Sequence, residues 1–175
     1  MGNQSTKHEH LTLQSQLHNP VVLTSECFIH KTPHHLVMQG TNFVDTVGQV
    51  QFAVRPSSDA SPIQYTDADG HLLATCVSDT LYAGKFQDQP IGLFKVNKVL
   101  RTLTVHLQGR QQVAVHTNAH RAVLYLVAPN KELTCIGHCE RMPTLSMTLA
   151  AGVDVTLGLF VANYLKDNIP QRKRS

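Results

Sequence analysis

The stretch "VDVTLGLFVANYL" at 153–165 constrains this chain more than any other. If it is helical, Val153, Val155, Leu157, Leu159, Phe160, Val161, Ala162, Tyr164 and Leu165 fall at nearly every angle around the axis and leave no polar stripe. A helix that is apolar all round must be enclosed on every side. Its length sets the enclosure: thirteen residues reach about 20 Å at ~1.5 Å per residue, short of the ~30 Å hydrocarbon core of a bilayer. Protein is therefore the expected surround, and the rest of the chain has to build it.

That remainder reads as strands. In "GQVQFAV", Val50, Phe52 and Val54 alternate with Gln49, Gln51 and Ala53, the period of a half-buried strand. "TLTVHL" sets Leu103, Val105 and Leu107 against Thr102, Thr104 and His106, and "TLSMTL" sets Leu145, Met147 and Leu149 against Thr144, Ser146 and Thr148. "AVLYLV" at 122–127 is apolar on both faces, which predicts a strand covered on both sides. Between the runs stand turn signals. Asp69-Gly70 in "DADGH" predicts a type I′ hairpin, Asp45 and Gly48 in "DTVGQ" predict another reversal, and "RPSSDASP" and "APNKE" are loops. Short strands joined by local turns predict an antiparallel sheet closed into a β-barrel, with the hydrophobic helix filling its interior.

Charge is unevenly distributed. Of a net +3, the last ten residues carry Lys166, Arg172, Lys173 and Arg174 against Asp167 alone. Residues 89–131 contain no Asp or Glu but hold Lys95, Lys98, Arg101, Arg110, Arg121 and Lys131. Such a tract is a candidate surface for anions. The rival arrangement, which the sequence by itself slightly favours, scatters these residues over several faces. There is no apolar leader in residues 1–20, so a cytosolic address is expected, and with it free thiols at Cys27, Cys76, Cys135 and Cys139. Cys135 and Cys139 in "CIGHC" have a metal-like spacing, but no second pair completes a zinc site, and neither a metal nor a cofactor is expected.

The opening "MGNQSTKHEH" fits the N-myristoylation pattern: Gly2 offers the unhindered amine that receives the acyl chain, and Thr6 fills the hydroxyl position. One myristoyl chain binds membrane only marginally, so a second signal is needed. The tail "QRKRS" is a candidate for it, although a run this short reads more simply as a solvated end. The expected organisation is a tail at 1–18 bearing the lipid site, a barrel domain at 19–168 and a basic tail at 169–175.

Two phrases of the form Asp-x-x-Gly followed by an apolar strand are present, Asp45–Gly48 running to Phe52 and Val54, and Asp67–Gly70 running to Leu72 and Leu73. With Gly152-Val153-Asp154 opening the apolar helix and Asp167-Asn168 closing it, the chain resembles the LURP-one-related family over residues 20–168. That family shares its fold with the Tubby C-terminal domain and the phospholipid scramblases. The resemblance implies a barrel of about twelve strands around a central C-terminal helix and no catalytic constellation. Tubby domains bind phosphoinositides, scramblases sit at membranes, and plant relatives are linked to pathogen defence.

The function expected is therefore a non-enzymatic binding module, tethered through Gly2 to the cytosolic face of a membrane, the plasma membrane foremost. Its partner is an anionic lipid of phosphoinositide type or a signalling or defence protein. Lys95, Lys98, Arg101, Arg110, Arg121, Arg172, Lys173 and Arg174 are the candidate contacts. Two rivals are a scramblase-like lipid transporter, which needs the helix in the bilayer, and an enzyme. Ser, Cys, His and Asp are all present, yet none sits in a nucleophile elbow, a zinc-protease motif or a phosphate-cradling loop. Nucleic acid is not an expected partner, because aromatic residues make up 6% and the basic residues are not interleaved with them.

Overall fold

Alternation on the strands becomes inside and outside of a closed wall. The computed structural model describes residues 12–14, 16–23, 29–55, 62–85, 89–97, 102–118, 120–141 and 143–168. A first strand, β1 (Gln16–Val21), stands apart. Then come β2 (His34–Gln39), β3 (Asn42–Val44), β4 (Val50–Arg55), β5 (Ile63–Asp67), β6 (Leu72–Val77) and β7 (Thr80–Ala83). The second half is β8 (Pro90–Asn97), β9 (Thr102–Leu107), β10 (Gln112–Thr117), β11 (Arg121–Val127), β12 (Leu133–Glu140) and β13 (Ser146–Leu149), followed by β14 (Ala151–Val153) and the helix α1 (Val155–Asn168). The twelve strands β2 to β13 form one closed antiparallel barrel in chain order, and β13 pairs with β2 to shut it. The fold class is thus the one expected: mainly β, a closed twelve-stranded antiparallel barrel with one C-terminal helix.

The helix crosses the lumen. Every residue from Val155 to Asn163 is buried, and the helix packs on opposite sides of the ring. Phe160 stacks on Phe94 of β8 with ring centroids 3.6 Å apart. On the far side Gly158 lies against β13 so closely that a Cβ there would stand 2.8 Å from both Leu149 Cδ1 and Met147 Sδ. At the exit end, Lys166 Nζ reaches the Gly40 carbonyl of the β2–β3 turn at 3.4 Å. The helix begins two residues later than the apolar run because Val153 ends β14, and it continues past Leu165 to Asn168.

Entry is organised by Asp154, which is fully buried. Its Oδ1 accepts from the Thr156 amide at 2.9 Å and from the Thr156 hydroxyl, and its Oδ2 accepts from the Leu23 amide at 2.9 Å. The carboxylate is both helix N-cap and tie to the chain alongside. β14 runs parallel to β1, with Val21 opposite Val153, and Gly152 N donates to His30 O at 3.0 Å. β1 starts inside the stretch that the sequence reads as tail: its neighbour β14 lies at the far end of the chain, and no local period announces it.

The Asp69-Gly70 reversal is not type I′. Gly70 alone is left-handed there (φ +86), and Gly70 N closes on Asp67 O at 3.1 Å while Asp67 N donates to His71 O at 3.0 Å. This is a type I turn followed by a glycine bulge, repeated at Asp45–Gly48 with Gly48 at φ +84. The Asp side chain does the sequence-specific part: Asp45 Oδ1 accepts from the Val47 and Gln49 amides.

Asp154→Ala leaves the Leu23 and Thr156 amides without their acceptors in a dry interior, at ~1–3 kcal/mol for a buried donor left unpaired. We expect a loss of about 3 kcal/mol in urea unfolding, and a smaller one for Asp154→Asn, whose amide oxygen still caps the helix. Equal midpoints for Asp154→Ala and the native chain would remove Asp154 from this role.

Candidate functional site

Up-and-down topology converts sequence neighbourhood into surface. The acid-free tract 89–131 supplies β8, β9, β10 and β11, which are consecutive in the barrel, so it forms one contiguous wall. The strands of the tract stay together, and of its basic residues the described ones, Lys95, Arg110, Arg121 and Lys131, stand on the wall and at its rims. On the outer face, Leu93 stands opposite His106 and His106 opposite Gln112, while Lys95 stands opposite Thr104 and Thr104 opposite Ala114. His106 and His116 do lie on this outer side, half-exposed. Four strands span roughly 14 Å at ~4.8 Å spacing.

The other described carboxylates belong to neighbouring elements. Asp45, Asp67, Asp69 and Asp79 sit on β3–β7 and their turns, Glu132 and Glu140 flank or end β12, and Asp154 is enclosed. Asp79 borders the wall at the β6–β7 turn, where its carbonyl accepts from Phe94 N at 2.7 Å and its carboxylate accepts from the Thr80 hydroxyl at 3.1 Å. Among the described residues the wall itself therefore contributes no carboxylate, and carboxylates stand along both of its borders, at Asp79 and at Glu132 and Glu140.

Of the predicted contacts, Lys95 is exposed on the outer face of β8. Arg110 is exposed at the β9–β10 turn in a left-handed conformation (φ +67), and the turn is fixed by Leu107 N donating to Gln111 O and Gln108 Nε2 donating to Pro90 O at 2.6 Å. Arg121 opens β11 at the opposite end of the wall. It is half-buried and stands across from Glu140, and its Nε is buried without a hydrogen-bond partner. These three are separated charges on one wall and its rims, not the lining of one pocket. Gly2, Lys98, Arg101, Arg172, Lys173 and Arg174 lie outside the described residues.

The cysteine pair does not form a ligand set. Ile136 is an extra residue in β12, so Cys135 pairs with Tyr125 while Gly137 pairs with Leu124. Cys139, opposite Ala122, points into the core, and Cys135 points outward. Burial pushes the Cys139 thiol up to about 12, that of Cys76 up to about 11, and Cys135 upward as well. The spacing in "CIGHC" cannot reveal a strand, in which four residues of extended chain set the two thiols about 13 Å apart, or the bulge that turns them to opposite faces. "AVLYLV" is covered on its outer side at Tyr125, which is buried although it faces outward.

Three polar groupings had not been anticipated from the sequence. His30 and His34 stack with centroids 3.8 Å apart near the helix entry; burial lowers His30, and burial followed by the charge of His30 pushes His34 down to about 4. His138 is pushed down by burial and then by Arg121, while His35 Nδ1 lies 2.9 Å from Thr148 Oγ1 on the adjoining strands. Asp67, Asp69 and His71 bring three polar side chains together at one turn. Although its partial burial opposes this, hydrogen bonds from His71 hold Asp67 below the usual carboxylate range, and the bond to Asp67 raises His71. The Asp-x-Asp-x-His spacing was the available signal for this last group.

No family model matches the chain, and no curated protein matches its sequence. In three dimensions it is similar to the X-ray structure of a protein from Arabidopsis thaliana, with a TM-score of 0.67 and 19% identity over 83% of this chain and 97% of that one. At that identity the likeness is one of fold.

Three histidines with depressed values contribute to the acid response, and the raised His71 opposes them. Between the unfolded value near 6.5 and the folded value of His34 at about 4, the native state binds fewer protons than the unfolded one. Stability is therefore full above the upper limit and falls as pH drops through this window. We expect the thermal midpoint to decline as pH is lowered from neutrality into this window, and the slope to flatten in His34→Gln; an unchanged slope would remove His34 as a source.

Proposed function

We propose that this chain is a LURP-one-related protein that works, without catalysis of its own, as a lipid-anchored binding module at the cytosolic face of the plasma membrane. Myristate on Gly2 supplies the tether, and anionic lipid, phosphoinositide headgroups included, is the ligand. The observation that carries this reading is the contiguous wall β8–β11, which presents Lys95 and Arg110 and contributes no carboxylate of its own to repel a negative surface. Each Lys or Arg near anionic lipid contributes about 1 kcal/mol, so a few such residues with Arg172, Lys173 and Arg174 provide the second signal that a single acyl chain lacks.

A scramblase-like transporter has less support. Its helix would have to enter the bilayer, and here the fourteen residues of α1 measure about 21 Å and fill a barrel. No described helix is long and apolar enough to cross a membrane. A signalling or defence protein seated on the same wall is the other binding reading.

Fractionation of cells expressing the untagged chain beside Gly2→Ala tests the tether. Native protein with membranes and Gly2→Ala in the soluble fraction is the expected result. Equal solubility of the two would end the anchor reading and direct the search to protein partners by pull-down.

A further inference from the structure

We infer that the barrel docks side-on, with the outer face of β8–β10 laid against the headgroups of an anionic bilayer and Leu93 at the contact. This rests on the membrane reading above and adds the face. Three observations select it.

First, the route of the chain. Gln14 N donates to the Cys135 carbonyl of β12 at 3.0 Å, so the described chain starts beside the strand that borders the acid-free wall. Thr12 stands ten positions after Gly2, up to about 35 Å when extended, enough for an acyl chain to reach a bilayer against that flank.

Second, the chemistry of the face. Leu93 is a large apolar side chain 40% exposed on the outside of β8, two residues from exposed Lys95 and flanked by His106. An apolar side chain beside a cation suits the headgroup boundary, where the methyls enter the acyl region and the ammonium meets phosphate.

Third, the alternatives carry the wrong charge. Val47, 77% exposed, sits in the turn capped by Asp45, and Val50 follows it on β4. β5 next to β4 ends in Asp67, with Asp69 in the following turn. Pressing that flank on an anionic surface would bring several carboxylates to it, where among the described residues the β8–β10 face meets Asp79 alone at its border.

The chain contains no tryptophan, so a single introduced indole reports one place. Full-length N-myristoylated protein carrying Leu93→Trp, Val47→Trp or Val50→Trp is mixed with vesicles of phosphatidylcholine and phosphatidylserine with brominated acyl chains. We expect a blue shift and quenching for Leu93→Trp alone. Lys95→Ala should lower vesicle partitioning about fivefold, and Lys31→Ala should leave it unchanged. Quenching at Val47 or Val50 but not at Leu93, or co-sedimentation with all three indoles unquenched, overturns side-on docking while lipid binding stands. Failure of the native chain to co-sediment removes the membrane reading and the docking face together.

Discussion

An α-helix surrounded by protein on all sides has no water at its first turn, and its leading amides must find acceptors from the chain itself. Asp154 meets that demand with one carboxylate. It accepts from Thr156 within the helix and from Leu23, near the other end of the chain. Asp154 N also donates to Val21 O at 2.8 Å. The same side chain thereby sets where the helix starts and how the N-terminal segment lies across the entry. The barrel then follows from the helix: a cylinder apolar all round needs inward-facing side chains on every side, and only a closed sheet provides them without leaving an edge.

Much of this was legible in the sequence because its causes are local. Alternation in 102–107 places Leu103, Val105 and Leu107 inward along a single strand, and the apolar run at 153–165 demands enclosure whatever encloses it. What was not legible depends on distant partners. β1 exists because β14 lies beside it, the β12 bulge at Ile136 is set by pairing with β11, and the histidine stack forms where the loop carrying His30 meets β2. The Asp67–Gly70 turn is the instructive middle case. Glycine is the residue that takes the positive φ, as its place in the sequence indicates, but the turn type depends on Asp67 also closing the loop, two residues before the Asp69-Gly70 pair.

The candidate surface divides along the same line. Absence of Asp and Glu over 89–131 is a property of the sequence, and its meaning comes from topology. In a barrel whose strands are adjacent in chain order, a run of consecutive residues maps onto one flank; in a Greek-key barrel it would be dealt to separate sheets. Compositional bias along an up-and-down chain is therefore a surface property, and the same bias elsewhere is not. That is why the tract carries more weight than the individual cations named in it, of which Arg121 is half-buried across from Glu140.

The same mapping limits how strong the surface is. Lys95 and Arg110 are spaced along the wall and its rim instead of converging, so a single headgroup cannot engage both in the way a preformed pocket would. Binding of this kind sums weak contacts, each about 1 kcal/mol, and falls steeply with added salt because the charges are exposed. A flank with modest affinity would suit the tether proposed above: with an acyl chain holding the barrel near lipid, the flank would have only to orient it. On the membrane reading proposed above, orientation would be the functional quantity, and the side carrying Asp45, Asp67, Asp69 and His71 would face away from the lipid.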